Sequence, residues 1–177
     1  MKALVVYESL YGNTARIGEA IADSLRAKGV EVASGPISKV DAGHAETFDL
    51  LVVGGPTHAH GMSRESTRET AVNDAKNTYA EARVMPGLRE WMDRLPGGDG
   101  RVGAAFDTRI DAAAFLTGSA ARTIARRLRA PGYTLLPGPE SFLVSKENAL
   151  IEGEISHATA WGAHIAERTA ARATPSR

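Results

Sequence analysis

The sequence predicts an α/β protein with a parallel sheet, and three observations lead to that prediction. Short apolar runs of strand length alternate with longer stretches in which apolar residues recur at helical spacing. The run "FDLLVVGG" (48–55) is apolar over most of its length, as a strand covered on both faces should be. The 177 residues suffice for one domain with a sizeable core, and no linker divides them. We expect one domain over 1–170 and a frayed tail over 171–177.

Five strands are predicted. The first, "ALVVY", is strongly apolar, whereas the second, "VEVAS", alternates like a half-covered strand at a sheet edge. The last strand combines "YTLL" and "SFLV" around a Pro-Gly-Pro turn. In chain order the predicted strands occupy 3–7, 30–34, 48–55, 101–107 and the two pieces 133–136 and 141–144.

Helices are predicted between the strands from the spacing of apolar residues. The first begins near Thr14, places Ile17, Ile21 and Leu25 on one face, and is followed by Gly29 as a C-terminal stop. Between the third and fourth strands lies a polar, mixed-charge stretch that is long for a loop, so we expect it to form irregular helix or a cover. That stretch occupies 61–83, and the other predicted helices occupy 88–95, 114–130 and 149–168.

Composition excludes several classes of function. Lys and Arg number 21 and Asp and Glu also number 21, so the formal net charge is zero, which argues against a nucleic-acid binder. The chain has no cysteine, so redox chemistry would have to come from a bound cofactor. No stretch approaches the roughly 20 apolar residues of a membrane span, and the N-terminus lacks a signal-peptide pattern. We expect a soluble, cytoplasmic protein.

The stretch "SLYGNT" (9–14) stands where the first strand passes into the first helix. A helix start presents unpaired amides, and these together with the helix dipole favour an anion, usually a phosphate. Ser9, Asn13 and Thr14 can donate further hydrogen bonds, and Gly12 lets the backbone come close. The patterns GxxxxGK[ST] and GxGxxG are absent, which argues against an NTPase and a Rossmann site. A helix merely capped by Asn13 or Thr14 is the alternative.

Two further strand ends carry unusual residues, "GPTHAHGMS" (55–63) after the third strand and "DTRID" (107–111) after the fourth. In an open α/β sheet, ligands bind beyond the carboxyl ends of the strands, where the strand order reverses. His58 and His60 have no visible third partner for a metal ion, so no metal site is predicted.

Together these three stretches resemble the flavodoxin family. "VVYESLYGNTARIGEAI" (5–21) is similar to its FMN-phosphate signature, and the two later loops stand where that family places its flavin-ring loops. The resemblance covers residues 1 to about 168 and implies the short-chain form, a three-layer α/β/α sandwich whose five parallel strands have the order 2-1-3-4-5. It also implies non-covalent FMN at the switch point. The residues expected to bind FMN are Ser9, Tyr11, Gly12, Asn13, Thr14, Pro56, Thr57, His58, Ala59, His60, Gly61, Phe106, Asp107, Thr108 and Arg109.

Within that set, a protonated His58 or His60 beside the flavin would stabilise its reduced, anionic form. The resemblance implies that Gly61 offers its carbonyl to flavin N5, and an ordinary turn glycine is the alternative. Asp107 and Arg109, with Thr108 between them, could bond the pyrimidine edge or the ribityl chain, although Arg109 could instead form a surface ion pair.

The sequence departs from the family in four respects: Gly18 stands where alanine is usual, the net charge is zero, both ring loops lack Trp and Tyr, and the segment 62–83 is long. Three functions therefore stay open. The first is an FMN-dependent carrier that exchanges electrons with a redox partner protein or a small acceptor. The second is an NAD(P)H-dependent quinone or FMN reductase, or an enzyme like the flavodoxin-like protoporphyrinogen oxidases. The third is a binding module without redox chemistry.

Overall fold

A central sheet with helices packed on both faces forms the framework of the computed structural model. The model describes residues 1–58, 61–74, 77, 87–113 and 117–173. The strands are β1 (Lys2–Tyr7), β2 (Glu31–Pro36), β3 (Leu50–His58), β4 (Gly61–Met62), β5 (Val102–Ile110), β6 (Thr134–Leu135) and β7 (Glu140–Val144). The helices are α1 (Asn13–Ala27), a 3-10 helix (Ala42–Thr47), α2 (Glu65–Asn73), α3 (Leu88–Met92), α4 (Ala120–Arg129) and α5 (Glu154–Ala173).

The predicted order of the parallel strands is confirmed. β1 pairs in parallel with β2 on one side and with β3 on the other, and β3 pairs in parallel with β5. β5 then pairs in parallel with β6 at its start and with β7 at its end, so β6 and β7 are two pieces of one fifth strand. Counted in this way, the order is 2-1-3-4-5. The short β4, which the sequence did not predict, forms an antiparallel pair with the end of β3.

Two apolar layers hold the helices to the sheet. Ile17, Ile21 and Trp161 belong to the layer under α1 and α5, and Trp91 and Ile124 belong to the layer under α3 and α4. Successive residues of β1 contribute to alternate layers because neighbouring side chains of a strand point to opposite faces. This double cover explains why the central strands are apolar along nearly their whole length.

The glycine at position 18 is explained by the tyrosine that ends β1. A Cβ atom at Gly18 would lie 2.5 Å from Cδ1 of Tyr7, because the Tyr7 ring packs directly against the helix backbone there. The Tyr7 hydroxyl donates a 2.8 Å hydrogen bond to Oε1 of Glu19 in the same helix. The Tyr7 ring therefore leaves no room for the alanine side chain that is usual at position 18.

The last helix begins later than the sequence predicts. Val144 forms an isolated antiparallel bridge with Leu150, so the chain first turns back on β7. Within this turn the Ser145 hydroxyl accepts a hydrogen bond from a backbone amide two residues on. Gly153 then takes a positive φ of 90°, and α5 runs from Glu154–Ala173. The predicted start at residue 149 is wrong by five residues because this local turn competes with the helix.

Several predicted stretches lie partly outside the described residues. Of the segment 62–83, the described part forms β4, α2 and a short extension, while 75–76 and 78–83 are not described. Residues 114–116 of a predicted helix and 174–177 of the predicted tail also lie outside. None of the helices in the described part of the chain combines the length and apolar character needed to cross a membrane.

Candidate functional site

A cleft opens at the carboxyl ends of β1, β3 and β5, on either side of the point where the strand order reverses. Open α/β sheets bind their ligands at this position. The residues that line the cleft are Leu10, Tyr11, Asn13, Thr14, Pro56, Thr57, His58, Thr108, Arg109, Ile110, Val144 and Asn148. All three stretches that the sequence singled out therefore contribute to one cleft.

The loop between β1 and α1 leaves the start of the helix open. Gly12 is the N-cap residue with φ 87° and ψ −17°, a left-handed conformation that glycine adopts without strain. Among the described residues, no side chain caps α1, and its first turn contains no acidic residue. The alternative that Asn13 or Thr14 caps the helix is wrong. The first amides of α1 are thus left for an anion, which their partial positive charge favours.

The buried Ser9 hydroxyl orders the loop from within. Its Oγ accepts a 3.1 Å hydrogen bond from the Gly12 amide. Because a hydroxyl can donate as well as accept, the Ser9 proton stays available as a further donor in the loop.

Two side chains of the loop are held by residues distant in sequence. The Asn13 side-chain amide donates a 2.7 Å hydrogen bond to the Asn148 carbonyl oxygen. The hydroxyls of Thr14 and Thr108 lie 2.7 Å apart, and both residues are buried. The Asn13 side-chain amide has two protons and uses one of them in this bond. Thr14 and Thr108 have two hydroxyl protons together, and their mutual hydrogen bond uses one. The loop therefore keeps side-chain donors in addition to its backbone amides.

Two buried nitrogen atoms of the cleft residues lack a partner. The Nε2 atom of His58 and the Nε atom of Arg109 make no hydrogen bond within the described part of the chain. Buried polar groups are normally paired, and a ligand in the cleft could supply partners for these two atoms. Arg109 is otherwise held by the Ala112 carbonyl oxygen at 2.7 Å. Among the described residues it forms no ion pair with Asp107 or Asp111.

Burial lowers the pKa of His58 below its ordinary value of 6.5. Burial therefore favours the neutral imidazole. The protonated state that the sequence interpretation assigns to this histidine requires a nearby negative charge to raise its pKa again.

Phe106 and Asp107, both expected in the site, do not line the cleft. Phe106 has no exposed surface and packs edge-on against Phe142 and Trp161, with ring centroids 6.1 and 6.3 Å away. Asp107 is also fully buried, and its Oδ2 accepts hydrogen bonds from the Ser119 hydroxyl and the Ala121 amide, both at 2.8 Å. Asp107 thus fixes the start of α4.

The remaining predicted residues differ in how closely they approach the cleft. Ser9 and Gly12 belong to the loop but do not line the cleft, and the half-buried Gly61 lies in the β3–β4 hairpin. Ala59 and His60 lie outside the described residues.

Four lining residues were missed by the sequence analysis: Leu10, Ile110, Val144 and Asn148. Asn148 carried a usable signal, because asparagine is one of the few residues that readily adopts a positive φ, and its φ is 60°. The position of Asn148 beside Asn13 depends on the path of the fifth strand, and no local sequence pattern predicts that path.

Comparison with known proteins agrees with this geometry. A family model described as a flavodoxin domain matches residues 4–78, which include the loop, β3 and the hairpin. Over these residues the chain is similar to flavodoxin domains. A flavodoxin from the domain Archaea is 23% identical, with a TM-score of 0.67 over 96% of this chain and 99% of that one. Oxidised flavodoxin 1 from Bacillus cereus is 17% identical, with a TM-score of 0.69 over 94% and 98% of the two chains.

The flavodoxin fold of this protein also occurs inside larger proteins. Rubredoxin oxygen:oxidoreductase from Desulfovibrio gigas is 16% identical, with a TM-score of 0.63 over 98% of this chain and 37% of that one. At such identities the structural likeness shows the fold alone. No curated protein matches the chain in sequence.

Proposed function

We propose that this protein binds FMN non-covalently in the cleft and carries electrons between a donor and a redox partner protein or a small acceptor. The observation that carries the proposal is the start of α1, which opens at the switch point of the sheet without a side-chain cap or an acidic residue. A phosphate suits that position better than a neutral or cationic group does. The cytoplasmic location expected from the sequence stays a prediction.

The loop residues would hold the phosphate of FMN. The amides that begin α1 and the one hydroxyl proton left over by the Thr14–Thr108 pair provide donors, and the Ser9 hydroxyl adds a further donor within the loop. Because phosphate is a strong acceptor with several oxygens, it can satisfy several donors at once.

The ends of β3 and β5 would hold the ring. Pro56, Thr57 and His58 line one part of the cleft, and Arg109 and Ile110 line another. The unpartnered His58 and Arg109 nitrogen atoms fit a ligand rich in carbonyl and ring nitrogen acceptors. When bound, the flavin supplies the electron-transfer chemistry, so the proposal assigns no side chain as an acid, base or nucleophile.

The direct test is a titration of the purified protein with FMN and with riboflavin. FMN should be retained after desalting at one per chain, with absorbance at about 450 nm, a band expected of an oxidised flavin. Riboflavin lacks the phosphate and should bind at least about tenfold more weakly, the loss of one or two charge-assisted interactions. A protein that stays colourless in excess FMN contradicts the proposal and favours a binding module for another ligand.

An NAD(P)H-dependent reductase is the second candidate, and the ring side of the cleft favours it. Ile110 stands there with 44% of its surface exposed, and no tryptophan is among the described lining residues. An uncovered flavin face would admit a nicotinamide or a quinone. Steady-state oxidation of NAD(P)H with a quinone, catalysed by the FMN-loaded protein, would establish this function, whereas its absence favours the carrier.

Arg16→Glu should weaken FMN binding while stabilising the protein without ligand. Arg16 is exposed in the first turn of α1, where a cation opposes the helix dipole and an anion is favoured by about 0.5 kcal/mol. The substitution places a negative charge beside the proposed phosphate site, so FMN should bind about tenfold more weakly at low ionic strength and less so in high salt. Isothermal titration and thermal unfolding measure the two effects.

Arg129→Glu is the matched control for Arg16→Glu. It makes the same change of charge at an exposed position at the far end of α4. FMN affinity should be unaffected in this variant, and riboflavin affinity should be unaffected in both. If Arg16→Glu weakens FMN and riboflavin equally, the phosphate does not lie at the start of α1.

A further inference from the structure

The chain that follows α2 contacts the loop between β1 and α1 (residues 8–12) through two polar side chains, Asp74 and Asn77. We propose that Asp74 and Asn77, together called the clasp, are positioning residues that set the affinity of the loop for the phosphate group of the ligand. The inference rests on the proposed function and deepens it. Neither residue lines the cleft, so their effect would be exerted through the loop.

Asn77 connects the loop to the end of α2. Its Nδ2 atom donates 2.8 Å hydrogen bonds to the carbonyl oxygens of both Leu10 and Ala71. Ala71 lies in the last turn of α2, where carbonyl groups have no partner within the helix. One amide group therefore satisfies the helix end and fixes the loop to it.

The hydrogen bond to Leu10 fixes the orientation of a whole peptide unit. A peptide is planar and trans, so its carbonyl and the amide of the following residue point in opposite directions. Because the Leu10 carbonyl oxygen is held toward α2, the amide of Tyr11 is turned away from α2. The buried Leu10 side chain limits rotation of the same peptide from the other end. Asn77 thus orients a backbone donor of the loop.

Asp74 holds the side chain of the next loop residue. The Tyr11 hydroxyl donates a 3.2 Å hydrogen bond to Oδ2 of Asp74. Burial, and after it the hydrogen bond and charge of Asp74, raise the pKa of Tyr11 above its ordinary value of 10.0. The phenol stays protonated as the donor, and its ring is fixed at the edge of the cleft, which it lines.

Fixing the loop in advance matters because binding otherwise has to order it. Donors that are already oriented bind a phosphate without that entropic cost, so the benefit appears only for ligands that carry a phosphate. The loop is fixed from the opposite side by Asn148 and Thr108. The clasp supplies the corresponding contacts on the α2 side.

The test compares the FMN and riboflavin affinities of variants of the full chain. Asn77→Ala and Asp74→Ala should each raise the dissociation constant for FMN about fivefold, the usual effect of losing one or two hydrogen bonds, and should leave that for riboflavin unchanged. Asp74→Asn keeps an acceptor oxygen for Tyr11 and should retain most of the affinity for FMN. Glu69→Gln, at an exposed position of the same helix, is the control and should change neither constant.

A double-mutant cycle tests the Asp74 contact separately. Tyr11→Phe should match Asp74→Ala in its effect on FMN, and the double variant should be no weaker than either single one, because all three lose the same bond. Equal losses for FMN and riboflavin, or no loss in any variant, would overturn the inference while leaving the proposed function intact. If the unaltered protein does not bind FMN, both the proposed function and this inference are wrong. Thermal unfolding of each variant shows that it is folded.

Discussion

Gly54→Ala should lower the free energy of unfolding by about 3 kcal/mol, the upper part of the range for overpacked cores. Gly54 lies in β3 directly opposite Phe106 of β5, and a Cβ atom there would be 2.0 Å from Cζ of that ring. The ring cannot move aside easily, because Phe142 and Trp161 pack against it. Either β3 or the aromatic cluster must therefore shift.

Urea denaturation of Gly54→Ala and of a control glycine variant measures this effect. Gly138 is exposed, and no atom lies within 4 Å of the Cβ that Gly138→Ala would add, so that variant should be close to neutral. In the Gly54→Ala background, Phe106→Leu should recover part of the loss by removing the clashing ring atoms. If Phe106→Leu only adds a further loss, the clash with this ring is not the cause.

Asp107→Ala should also cost about 3 kcal/mol, because it leaves several buried donors without an acceptor. Asp107 Oδ2 accepts from the hydroxyls of Thr57 and Ser119 at 3.0 and 2.8 Å and from the Ala121 amide at 2.8 Å. These bonds connect the end of β3, the end of β5 and the first turn of α4. Chemical denaturation gives the stability loss, and amide exchange should increase most in the first turn of α4.

Asp107→Asn distinguishes the loss of an acceptor from the loss of charge. An asparagine side chain can place its oxygen where Oδ2 stands and its NH2 group where Oδ1 stands, an atom with no partner among the described residues. It should therefore lose no more than about half as much stability as Asp107→Ala. Equal losses in the two variants would mean that the negative charge at the start of α4, and not the acceptor geometry, is what matters.

The sheet was predictable because its signals are local. Apolar strands of the right length, separated by amphipathic helices, indicate a parallel sheet before any contact is known. The place of "VEVAS" at the edge followed from its alternation, and among the described residues β2 pairs with β1 alone. The strand order itself came from the family resemblance and not from these patterns.

Phe106 and Asp107, which were expected in the site but do not line the cleft, show where local signals are insufficient. The sequence ends the fourth strand near Asp107, but β5 runs on to Ile110 because β7 pairs with it from Phe106 onward. Residues 106 and 107 therefore stay inside the sheet, one facing each apolar layer, and the cleft begins at Thr108. A pairing partner that lies more than 30 residues away decided this outcome.

The contacts that hold the loop between β1 and α1 could not be predicted from a sequence pattern either. Asn13 contacts Asn148 across 135 residues, and Asn77 contacts Leu10 across 67 residues. The sequence predicts that the loop binds an anion. Only the fold shows which residues hold the loop in place.

The bare start of α1 has a consequence for attempts to engineer this protein. Adding a capping residue or acidic side chains to an uncapped helix is a standard route to higher thermal tolerance. At α1 that route would place negative charge beside the proposed phosphate of the ligand. Variants selected only for thermal stability would therefore bind the proposed cofactor more weakly. A stabilisation campaign should leave residues 12–16 untouched and work on the far end of the molecule.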